Sequence, residues 1–137
     1  MTAAAAAATL AERDLVARWF ASRRPVSRTE DGRSVRVIYP GVPGGGHGPD
    51  IRDAALEIGG DPVRGDIEVH LRARGWDEHG HAADPAYAGV VLHLVRENDG
   101  GALVTRHAAG RHIPIAVVPA EGGTRQAALF APPCAAA

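Results

Sequence analysis

Acidic residues and histidines recur between Gly48 and Glu97 at positions that suit metal binding and hydrolysis. The segments are GPD (48–50), GDIEVHL (65–71), WDEHGH (76–81), DPAY (84–87) and VVLHLV (90–95), and His70, His79, His81 and His93 fall inside them. Neutral imidazoles and carboxylates are the usual ligands of divalent metals and the usual acids and bases of hydrolysis. From Val63 onward, Val63, Gly65, Ile67, Val69 and Leu71 alternate with Arg64, Asp66, Glu68, His70 and Arg72. On a strand the second set shares one face, so Asp66, Glu68 and His70 project in a row. A solvated strand would carry such a face too; Asp50 on an adjacent turn is what marks it as a candidate site. Asp50 after Gly-Pro also fits a turn cap. His93, inside an apolar run, fits a hydrogen-bonded core position, and His79 and His81 would share a face on an extended segment. Trp76 and Tyr87 read as packing residues that pin the polar connection to a sheet. His47, His107 and His112 sit in loop-like contexts and receive no role.

These residues need elements to hold them. Leu15, Val16, Trp19 and Phe20 recur at helical spacing, which predicts an amphipathic helix from Thr9 to Arg24, ended by Pro25. Strands are expected at 34–40, 50–60, 63–74 and 89–97, the last apolar enough to be a buried central strand. The connection 75–87 is polar with room for one helical turn. NDGG (98–101) is expected to turn the chain into 102–107 as a hairpin partner of the central strand, and 113–119 reads as a final strand. The glycine-rich stretch 40–49 lacks the GK[ST] ending of a phosphate loop. The expected fold class is α+β: an N-terminal helix packed on a small mixed β-sheet. Residues 1–8 are expected to be a disordered leader, 9–119 a single domain and 120–137 a loose tail.

Composition narrows the classes. The chain has 137 residues, 45% hydrophobic and 23% charged, with a formal net charge of −1, which suits one globular domain and gives no global basic argument for nucleic acid. Charge is unevenly spread: residues 12–36 hold seven arginines against four acids, and residues 47–99 hold five arginines against eleven acids. That distribution would suit an anionic substrate, although ordinary solvated charge on a helix and loop is the simpler account. Every basic residue is arginine, so no lysine is available as a catalytic base. Cys134 is the only cysteine, which removes disulfides, thiolate metal sites and a cysteine nucleophile. With no secretory signal pattern and no apolar run near the ~20 residues of a membrane span, a cytoplasmic protein away from membranes is expected. G-x-S-x-G, H-E-x-x-H, dinucleotide-binding and kinase motifs are absent from the sequence.

In their order, GPD, GDIEVHL, W-x-x-H-x-H, D-x-x-Y and V-x-L-H-x-V resemble the bacterial domain-of-unknown-function family 2851 over residues 38–99. Ile51 stands where that family tends to carry an aromatic. Its members are usually longer, so the chain resembles a minimal version. Pro49-Asp50 followed by a strand and Glu68-Val69-His70 is similar to the PD-(D/E)XK arrangement of restriction-endonuclease-like nucleases. That resemblance implies a restriction-endonuclease-like core and a nucleic-acid partner. It further implies Asp50 and Glu68 as ligands of Mg²⁺ or Mn²⁺, His70 in the place of the usual lysine, and Glu12 as a helix carboxylate. His79 or His81 would contact the scissile phosphate or protonate the leaving group. Two other readings compete. One is a cupin-like metal-binding β domain using His79, His81, Asp84 and His93. The other is a truncated structural module without chemistry.

Overall fold

The alternating run after Val63 becomes the longest strand among the described residues, and the other elements are arranged around it. The computed structural model describes residues 3–22 and 26–119. The expected helix stop at Pro25 and the tail 120–137, with Cys134, lie outside the described residues. Helix α1 spans Ala3–Ala21, so it begins inside the alanine run expected as a leader, alanine being the strongest helix former. The strands are β1 (Val35–Tyr39), β2 (Val42–Pro43), β3 (Ile51–Ile58), β4 (Asp61–Arg72), β5 (Val90–Glu97), β6 (Val104–His107) and β7 (Arg111–Val117). A short helix α2 (Gly75–Glu78) and two 3₁₀ turns (His81–Ala83 and Pro85–Tyr87) connect β4 to β5.

The fold is α+β, as expected, on a mixed sheet of order β1-β3-β4-β5-β7-β6, with β2 paired to β3. β1, β3 and β4 form an antiparallel meander; β5 lies parallel to β4, and β7 parallel to β5. The expected hairpin between the central strand and 102–107 does not form. β6 pairs with β7 instead, and β7 takes the place beside β5. The reason is burial. β7 buries the consecutive run Ile113–Ala116 and can sit between two neighbours, whereas the four-residue β6 suits the edge.

Even and odd positions of β4 serve two different layers. Ile67 and Val69 join Leu15 and Trp19 of α1, Leu56, Leu92 and Leu94 in the main core. Glu68 faces the other way in register with His93 of β5, under the crossover whose Trp76 and Tyr87 pack with Val90 and Ile113. In the row of polar side chains expected on β4, Glu68 and His70 are therefore covered, Asp66 is half-buried, and Arg64 and Arg72 stay exposed. Trp19 is 1% exposed, and its indole N–H donates to the Pro40 carbonyl at 2.9 Å, which ties α1 to the chain leading into the glycine-rich loop. Replacing it with alanine should cost ~3–5 kcal/mol through the cavity left behind, read as a fall in the denaturation midpoint. An unchanged midpoint would contradict this placement of α1.

Candidate functional site

Glu68 stands where the meander meets the crossover. Its carboxyl is 5% exposed, and each oxygen has its own surroundings. Oε1 accepts the Asp50 backbone N–H at 3.1 Å. Oε2 lies 3.0 Å from Nε2 of His81 and 3.5 Å from Nε2 of His70. Asp50, just before β3, sends Oδ2 across to accept the Val69 N–H at 3.0 Å, so it caps the neighbouring strand and not its own turn. Burial, and then the neighbouring Asp50 carboxyl, pushes Glu68 far above the usual carboxylate range. Glu12 approaches from α1, and burial followed by the Asp50 charge raises its pKa.

Three histidines close the other side. The ligand atoms of His70, His79 and His81 lie within 4.8 Å of one another, with His70 Nε2 3.2 Å from His79 Nδ1. His79 is the C-cap of α2 and is exposed, whereas His81 opens the first 3₁₀ turn and is buried. Burial, and then His79, keeps His81 below the usual imidazole value, so its contact with Glu68 is a hydrogen bond of a neutral ring. His81 stacks on Tyr87 with ring centroids 3.8 Å apart. Burial, followed by the Glu68 charge, pushes the Tyr87 hydroxyl up to about 12.

His93 is a core histidine, as its apolar run implied. Its Nε2 meets His70 Nδ1 at 2.7 Å and its Nδ1 meets Thr105 Oγ1 at 2.8 Å. Burial is the main cause that holds His70 down to about 2 and His93 to about 3, so both rings are neutral. With both nitrogens engaged, His93 is no ligand. Asp84 accepts the Ala86 N–H at the start of the second 3₁₀ turn. The cupin-like set of His79, His81, Asp84 and His93 therefore does not assemble. His107, which the sequence placed in a loop, lies buried on β6 with Nε2 bonded to the Asp84 carbonyl at 2.8 Å. Sequence reasoning also missed Thr105, which no local pattern distinguishes from any strand threonine.

Glu12, His70, Arg72 and His79 line an open cleft of about 320 Å³ over this cluster. Among the described residues no helix is long and apolar enough to cross a membrane. A family model described as a protein of unknown function (DUF2851) matches residues 17–120, a longer span than the motifs alone suggested. No curated protein and no solved structure matches the chain.

Gly75 sets how close α2 comes to His70. A Cβ there would lie 2.7 Å from His70 Cδ2 and 2.9 Å from Cγ, and the ring is tethered by its bond to His93. Gly75→Ala should lose ~1–3 kcal/mol by overpacking and shift the His70 ring resonances in NMR. Gly45→Ala, with nothing within 4 Å of its Cβ, should do neither. Unmoved His70 resonances in Gly75→Ala would contradict this geometry.

Proposed function

We propose that this chain, which belongs to the DUF2851 family, is a divalent-cation-dependent phosphodiesterase with a PD-(D/E)XK-type centre. The observation that carries the reading is the reciprocal pair of bonds between the two strands. The Asp50 N–H donates to Glu68 Oε1 at 3.1 Å and the Val69 N–H donates to Asp50 Oδ2 at 3.0 Å, which sets a carboxyl from the entry to β3 beside one from the middle of β4. The element order supports it: α1, an antiparallel meander, a helical crossover and a parallel strand. Glu12 adds a carboxylate from α1, next to Asp50.

The donor set fits a hard cation. Glu68 is buried and Asp50 half-buried beside it, and a proton or a shared cation relieves the repulsion of two such neighbouring carboxylates. Asp50 and Glu68 would hold Mg²⁺ or Mn²⁺, which take oxygen ligands and supply Lewis-acid polarisation of a phosphodiester oxygen and of water. The protein's own part is positional. The Val69 N–H fixes Asp50, and the Asp50 N–H fixes Glu68. His70 occupies the position of the usual lysine but is neutral and buried. It therefore cannot carry lysine's charge, and it contributes an Nε2 lone pair that orients groups in the centre. His79 is the exposed histidine of the trio and is assigned to the scissile phosphate or leaving group, with Arg72 on the cleft wall as the cation for a nucleic-acid backbone.

A metal-binding domain without hydrolytic activity is the second reading, favoured by the His70, His79 and His81 cluster. Cleavage of single-stranded DNA, duplex DNA and RNA with Mn²⁺ or Mg²⁺ separates the two. Asp50→Asn and Glu68→Gln should abolish metal-dependent cleavage, and His79→Ala should reduce it about 100-fold, the scale of one positioned acid. Full activity in either carboxylate variant would end the phosphodiesterase reading. Mn²⁺ binding with no cleavage of any substrate would favour the second.

A further inference from the structure

The oxygen site uses only half of the cluster. On its other side His70 Nε2 and His79 Nδ1 are 3.2 Å apart, His70 Nε2 and Glu68 Oε2 are 3.5 Å apart, and Glu68 Oε2 and His81 Nε2 are 3.0 Å apart. Ligands held at ~2.0–2.2 Å in a tetrahedral shell are themselves spaced about 3.3 Å apart. The observed separations are of that size.

The rings behind these atoms are held in a fixed state. His70 Nδ1 is bonded to His93, and His93 to Thr105. With the proton on His70 Nδ1, the His70 Nε2 lone pair faces His79 and Glu68, which is the support that metal-ligating histidines receive from a second partner. His81 is pinned between Glu68 and the face of Tyr87. Glu68 itself is divided: Oε1 lies on the Asp50 side and Oε2 on the histidine side. A carboxylate so placed can bridge two cations ~3.5–4 Å apart.

We propose that His70, His79 and His81 hold a second cation of the Zn²⁺ class, and that Glu68 bridges it to the cation held by Asp50. The proposal rests on the oxygen-ligated site of the phosphodiesterase reading and adds a nitrogen-ligated neighbour; in it His79 acts on the phosphate or leaving group through the cation it holds and not as a direct acid. Imidazole donors suit Zn²⁺, whereas carboxylates suit Mg²⁺ or Mn²⁺. The two sites therefore differ in metal preference, and the centre is heterobinuclear.

The test is elemental analysis with Mn²⁺ electron paramagnetic resonance on the full chain, stripped by chelator and reloaded with Zn²⁺ and Mn²⁺ together. One zinc and one manganese per chain are expected. His79→Ala, an exposed and structurally mild change, should lose zinc and keep manganese; Asp50→Asn should lose manganese and keep zinc; Glu68→Gln should weaken both. Co²⁺ in place of zinc should give the visible absorption bands of a four-coordinate site, absent in His79→Ala. Zinc displacing manganese mole for mole, with a total of one, would overturn the second site and leave the phosphodiesterase reading standing. Zinc without manganese would overturn the oxygen site and with it the bridged centre. Zinc retained in both His79→Ala and His81→Ala would place it elsewhere and overturn the assignment.

Discussion

A carboxyl buried in the middle of a central strand must be compensated, and Glu68 is that carboxyl. Removing an ion from water costs several kcal/mol unless partners replace the lost solvation. Here the replacement comes from several parts of the chain. The Asp50 N–H binds one oxygen and the His81 ring meets the other. The nearby Asp50 carboxyl adds a charge that sharpens the problem. A proton on Glu68 is one solution; the cation of the proposed function is another, since it would leave both carboxyls ionised and paired.

The fold supplies what this arrangement needs. The meander brings the entry of β3 beside the middle of β4, which puts Asp50 next to Glu68. The parallel step from β4 to β5 requires a crossover, and that crossover carries His79, His81 and Tyr87 over the polar face. Trp76 anchors it, with its indole N–H on the Arg106 carbonyl at 3.0 Å. α1 covers the opposite layer and brings Glu12 to the end of β4. The long element β4 thus separates a dry core from the layer that holds Glu68 and His70 simply by alternating its side chains.

Much of this was legible in the sequence because it is local. The alternation around Glu68 gave β4, the apolar run gave β5, and helical spacing of Leu15 and Trp19 gave the packed face of α1. Asp50, Glu68, His70, His79 and His81 were named from spacing and resemblance, and they do converge. What was not legible is nonlocal. Nothing in residues 102–117 says that β7 and not β6 pairs with β5; that depends on which strand can be buried on both sides. The relay from His70 through His93 to Thr105 joins three strands, and the stacking of Tyr87 on His81 depends on how the crossover folds back. His107 was read as a loop residue for the same reason, since its partner, the Asp84 carbonyl, lies 23 residues away.

The central claim is that the Glu68 cluster is a cation site, and anomalous scattering tests it most directly. Crystals of the full chain grown with Mn²⁺ should show an anomalous peak at the manganese edge between the Asp50 and Glu68 carboxyls, lost in Glu68→Gln. A peak only at surface carboxylates, with Glu68 still held by the Asp50 N–H and His81 at saturating Mn²⁺, would contradict it.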